Sequence, residues 1–105
     1  MALWKWEGGR QGGGYRKMKL AQIFNRADCY LIQYPEGFEL PEHRDETPHG
    51  RHFRLNIFLK GEGDFYAEDV IAQGRNWALF RPDIATHGVR DITSKRTVLS
   101  FGCVL

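Results

Sequence analysis

The chain reads as an all-β barrel of the jelly-roll class, and three features predict it. About eight short runs rich in aromatic and β-branched residues are separated by Gly, Pro and Asp turns at near-regular spacing. His52–Lys60 alternates strictly, with Phe53, Leu55, Ile57 and Leu59 on one face and Arg54, Asn56 and Phe58 on the other. Little of the sequence carries a convincing helical period.

The elements follow in order. Residues 1–14 hold Gly8, Gly9, Gly12, Gly13 and Gly14 around Arg10 and Gln11, without the Gly-Lys-Ser/Thr ending of a phosphate loop. They are expected to form a flexible arm whose Trp4 and Trp6 either cap the barrel mouth or mark an oligomer contact, and residues 15–105 form the folded domain. Tyr15–Phe24 is the first strand candidate, although Lys17–Ile23 also fits a helical turn or two. Cys29–Tyr34 is the next strand, Pro35-Glu36-Gly37 turns the chain, and Phe38–His43 follows. After His52–Lys60, Gly61-Glu62-Gly63 turns into Asp64–Ala67, and Glu68–Gly74 is expected to be a loop. Trp77–Phe80 is a short strand closed by Arg81-Pro82-Asp83, and Thr86–Ile92 and Arg96–Leu105 complete the set.

At 105 residues the chain supports one core and one domain. Hydrophobic residues make up 42%, with seven Phe, four Tyr and three Trp, which excludes a disordered chain. A net charge of +2 gives no reason to expect nucleic-acid binding as the main task. Cys29 and Cys103 are too few for a disulfide framework or a thiolate zinc site and read as buried free thiols. No apolar run has the length of a membrane helix, and Met1 is not followed by a signal-peptide core, so a cytoplasmic setting without a membrane partner is expected.

The chemistry concentrates in His43-Arg44-Asp45 and, far along the chain, His87. Alternation on a strand sends His43 and Asp45 to the same side. A sheet that curls back lets His87 join them. Two imidazoles and one carboxylate on one face, with the opposite positions open, is the ligand set of non-haem Fe(II) oxygen chemistry. His49 and His52 follow in a Pro/Gly-containing loop and are expected to be exposed and not to ligate. Arg54 and Asn56 share a face whose direction the pattern leaves open. Facing the barrel, they need partners that a bound ligand supplies; facing water, they need none.

Several segments then coincide with a known family. Tyr34-Pro35-Glu36-Gly37-Phe38-Glu39-Leu40-Pro41-Glu42-His43-Arg44-Asp45 resembles the opening of the metal site in Fe(II)/2-oxoglutarate-dependent oxygenases, the small prolyl-hydroxylase-like branch above all. Phe80-Arg81-Pro82-Asp83-Ile84-Ala85-Thr86-His87-Gly88-Val89 resembles the distal-His strand, and Arg96-Thr97-Val98-Leu99-Ser100-Phe101-Gly102 the last strand. The resemblance implies a double-stranded β-helix in which His43, Asp45 and His87 bind Fe(II). It also implies that Arg96 pairs with the distal carboxylate of 2-oxoglutarate, with Tyr34, and Asn56 if it faces inward, completing the co-substrate site. An Arg suits this role because its planar fork offers two parallel donors and stays charged. Dioxygen would be the oxidant, and the outcome hydroxylation or oxidative demethylation of a protein side chain, nucleobase or metabolite. Two departures stand out. The Ser that often follows the anchoring Arg by two residues is here Val98, with Ser100 later, and the chain is short, so substrate recognition would rest on loops, the arm or the partner subunit of a homo-oligomer.

The alternative is a cupin, built on the same double-stranded β-helix, that binds metal without using 2-oxoglutarate. Gly37 is separated by five residues from His43-x-Asp45, and Pro82 has His87 five positions on, which echoes the two cupin motifs. The later Glu ligand of the first motif is replaced by His49 and Gly50, and Arg96 has no role in this reading. A third possibility is a binding barrel that has lost its chemistry.

Overall fold

The computed structural model describes residues 4–8, 15–24, 26–45 and 50–105. Ten strands appear among the described residues: β1 (Trp6–Gly8), β2 (Arg16–Ile23), β3 (Ala27–Tyr34), β4 (Leu40–His43), β5 (His52–Lys60), β6 (Asp64–Ala67), β7 (Ala72–Gly74), β8 (Trp77–Phe80), β9 (His87–Arg90) and β10 (Arg96–Val104). Among the described residues there is no helix, so the helical option for Lys17–Ile23 gives way to strand β2. The expected loop 68–74 ends in strand β7, which pairs with β8. Part of the expected arm is also a strand: β1 lies against β2 with Trp6 opposite Met18. Residues 9–14 lie outside the described residues.

A seven-stranded antiparallel sheet runs β1-β2-β3-β10-β5-β8-β7 and a three-stranded sheet runs β4-β9-β6. β10 is the centre of the large sheet, because it pairs along its length with β3 on one side and β5 on the other. Both sheets supply lining residues to one cavity of about 250 Å³, Tyr30 and Asn56 from the large sheet and His43 and Val89 from the small one. The two-layer all-β barrel expected from the strand pattern is therefore the observed architecture.

Packing follows the rings. Tyr15, Tyr34 and Phe38 form a cluster with centroids 5.1–5.5 Å apart at one end of the core, joined by Leu40, Val89, Ile92 and Val98. Such offset and tilted contacts add roughly 0.5–1.5 kcal/mol per pair beyond the area they bury. Gly37, at φ +81, closes the turn after β3, and its N–H donates to Ile92 O at 2.8 Å. That bond ties the entry to β4 to the segment after β9, so the two ligand-bearing strands share an anchor. No described helix is long and apolar enough to cross a membrane.

Candidate metal centre

His43 ends β4 and His87 begins β9, and the two are directly opposed in the register of the small sheet. Their rings lie 4.3 Å apart. Gly88 permits this approach: a Cβ there would stand 2.4 Å from Leu40 O and 2.6 Å from the Tyr66 hydroxyl. Asp45 lies two residues beyond the end of β4 and so is not held by the strand pleat. Its backbone N–H instead donates to Pro82 O at 2.7 Å, in the loop that leads into β9. The Arg81-Pro82-Asp83 turn thus positions one ligand and delivers the next.

The result is a compact donor set. Asp45 Oδ1 is 3.7 Å from His43 Nε2, and Asp45 Oδ2 is 3.3 Å from His87 Nε2. One ligand atom from each of the three residues lies within 4.8 Å of the others. The tautomers are fixed by the backbone. His43 Nδ1 lies 2.9 Å from Pro41 O and His87 Nδ1 3.0 Å from Ala85 O. A carbonyl only accepts, so each Nδ1 carries a proton, which leaves Nε2 as the ring atom that would take a metal. Outer hydrogen bonds of this kind orient metal-binding imidazoles. His87 is buried against Phe80, whereas His43 and Asp45 are partly open. The donors fit a divalent cation.

Beside the triad, the cavity wall is polar. Arg54 Nη2 donates to both oxygens of Asp28, at 2.8 and 3.0 Å, and Arg54 Nη1 to Ser100 Oγ at 2.8 Å. Ser100, fully buried, donates onward to Asn56 Oδ1 at 2.6 Å. Gly102 leaves the room for this guanidinium, since a Cβ there would stand 2.1 Å from Nη2. Arg54 and Asn56 therefore face the barrel, and the alternative of a solvent-facing pair is excluded. Lys17 and Tyr30 line the same cavity, with the ammonium 4.8 Å from the ring centroid.

His52 also lines the cavity and is half-buried, which corrects the expectation that it is exposed. Burial, then the Arg54 charge, pushes its pKa down, so it stays neutral. His49 lies outside the described residues. Sequence reasoning set His52 aside as exposed and did not single out Asp28 or Lys17, yet one signal for the first was present: His52 shares its alternation phase with Arg54 and Asn56.

Tyr34 lines the cavity and is buried, and burial pushes its phenol well above the ordinary range, keeping it a protonated donor. Arg96 is not among the lining residues. It pairs in register with Tyr34, but its Nη1 donates to Gly63 O at 2.5 Å and its guanidinium lies 4.4 Å from the Phe58 ring. Its Nε is buried with no hydrogen-bond partner among the described residues. Arg90 is exposed and lies over Tyr66.

No protein-family model matches the chain, and no curated protein does. Solved structures do. A predicted oxalate decarboxylase from Thermotoga maritima superposes with a TM-score of 0.70 at 17% identity, over 96% of this chain and 91% of that one. An RmlC-like cupin from Desulfovibrio desulfuricans gives 0.65 at 20% identity, over 98% and 95%. The fold is that of a cupin. The cupin domain of Schizosaccharomyces pombe Cnp3 gives 0.69 at 8% identity, and this chain spans 87% of itself and 65% of that chain. At these identities the likeness carries the double-stranded β-helix and no particular activity.

Proposed function

We propose that this chain is a cupin-type metal-binding protein that holds one divalent cation at His43, Asp45 and His87 and presents it to a small anionic ligand in the cavity. The observation that carries the reading is the converging donor set, with each Nε2 left as the metal-binding ring atom by a backbone bond at Nδ1. The cation would supply Lewis-acid or redox chemistry at its open positions. The chain's own residues would bind and orient the ligand. Lys17 and Arg54 balance Asp28 and Asp45 along the cavity wall, so a divalent cation leaves the lining net positive and favours an anion. The Tyr34 phenol, held protonated, is a donor for that anion.

The Fe(II)/2-oxoglutarate dioxygenase is the second reading. It is favoured by the orphaned Nε of Arg96, a buried donor beside Tyr34 that a carboxylate would satisfy. Anaerobic titration separates the two. Stoichiometric Fe(II) or Mn(II) binding is expected in the wild type and in Arg96→Ala, and its loss in Asp45→Ala and His87→Ala. Full metal content in both ligand variants, with the fold intact, would refute the site. A charge-transfer band on adding 2-oxoglutarate, lost in Arg96→Ala, would move the assignment to the dioxygenase.

A further inference from the structure

The polar wall of the cavity has a direction, and it runs toward Asn56. Arg54 offers only N–H donors, so Ser100 Oγ, 2.8 Å from Nη1, is the acceptor of that bond. Ser100 is fully buried, and its own hydrogen goes to Asn56 Oδ1 at 2.6 Å. The hydroxyl thereby fixes the amide, with Oδ1 toward Ser100 and the NH2 group turned away from it. Asn56 is 9% exposed and lines the cavity. Its Nδ2 has no hydrogen-bond partner among the described residues, yet it is not sealed inside the wall as Arg96 Nε is. The surface this side chain keeps is the cavity, and the amide donor opens into it. A buried polar group without a protein partner calls for a ligand.

The neighbouring groups narrow the chemistry. Both Asp28 oxygens, Ser100 Oγ and Asn56 Oδ1 each already accept a bond from the chain. The Tyr34 phenol and the Lys17 ammonium, which line the same cavity, are donors like the Asn56 amide. A ligand ammonium turned to this wall would meet donors and leave its own hydrogens unpaired, whereas a carboxylate accepts from them. A cavity of about 250 Å³ lies below the usual ~300–1,000 Å³ of ligand pockets, so the ligand is short. We infer that Asn56 is a ligand-binding residue, held as a donor by Ser100, and that the ligand is a short dicarboxylate with one carboxylate on the metal and the other on the Asn56 amide. The inference rests on the metal site proposed above and names the ligand class of that site. Ser100, held in turn by Arg54, is a positioning residue: it sets the direction of the amide.

The experiment is calorimetric titration of the Mn(II)-loaded chain with three probes, with Mn(II) content measured for each protein. Malonate and succinate differ by one methylene, and 3-aminopropionate keeps the three carbons of malonate but ends in an ammonium. The wild type should bind at least one of the two diacids, and bind 3-aminopropionate at least about tenfold more weakly. Asn56→Leu keeps the volume and removes the donor. It should retain Mn(II) and bind the preferred diacid about 10- to 100-fold more weakly, the loss expected of one hydrogen bond to a charged group. Ser100→Ala leaves every charge in place and lets the amide turn. It should retain Mn(II) and narrow the advantage of the diacid over 3-aminopropionate, a change of selectivity that a merely structural role would not produce. A loaded wild type that binds neither diacid, or binds 3-aminopropionate equally well, overturns the inference. So does wild-type diacid affinity in Asn56→Leu, unchanged selectivity in Ser100→Ala, or loss of diacid and Mn(II) together in both variants. A wild type that takes up no Mn(II) is a separate result, since it removes the metal site itself and this inference with it.

Discussion

At the residue scale, the site depends on which atoms are already committed. The Nδ1 protons of His43 and His87 are bound to carbonyls of residues two positions earlier, so neither ring needs to reorient when Nε2 takes a metal. The neighbouring His52 is different, because burial and Arg54 favour its neutral form without any ligand. Its pKa is lowered in the folded chain relative to about 6.5 in the unfolded one. Between the lowered value and about 6.5, the unfolded chain binds more protons, so stability is full above this window and falls as pH drops through it. Removing the titratable ring removes that slope. The metal-free His52→Gln variant should lose less stability than wild type between about pH 6.5 and 5 in denaturant titrations. Equal slopes would mean that His52 is no less basic when folded than when unfolded.

At the scale of elements, the pair β4–β9 makes the site. A strand of four residues, Leu40–His43, supplies one ligand and passes the next to a loop. The spacing His43-x-Asp45 was legible in the sequence, but the means of holding it was not. Alternation attributes the shared direction to one strand, whereas the bond from Asp45 N–H to Pro82 O, long-range in sequence, does the holding. Arg96 shows the same limit. Its position nine residues after His87 is visible in the chain, but the side chain's direction is set by the turn at Gly63, whose carbonyl it binds. Gly88 offers a test at this scale. Gly88→Ala forces β4 and Tyr66 away from β9, at an overpacking cost of about 1–3 kcal/mol. Metal affinity should fall with it, because His43 moves with β4. Gly102→Ala, which crowds Arg54 instead, should destabilise the chain while affecting metal affinity less. Calorimetric titration with Mn(II) on both variants checks the contrast, and equal losses would mean that the strand approach does not set the donor geometry.

Over the whole molecule, the lesson of β5 is that alternation gives two faces without saying which is inside. The stripe Phe53, Leu55, Ile57 has the look of a core face, yet closure of the two sheets turns Arg54 and Asn56 inward, where Asp28 and Ser100 meet them. Those partners come from β3 and β10, distant in sequence, so their pairing was not readable before the sheet order was known. The barrel interior is therefore held partly by a chain of polar contacts, Asp28–Arg54–Ser100–Asn56, in place of a continuous apolar core. Such networks are costly to leave half-satisfied. Asp28→Ala removes the anion but leaves the guanidinium in the wall, and should cost about 1–3 kcal/mol in stability. Arg54→Met alone leaves Asp28 and Ser100 short of a partner. In the double variant Asp28→Ala/Arg54→Met neither charge is stranded, so the loss should be smaller than the sum of the two single losses. Urea unfolding of the four proteins measures this coupling directly. Strict additivity would mean that Arg54 is solvated from the cavity and that the pair contributes nothing to closing the barrel.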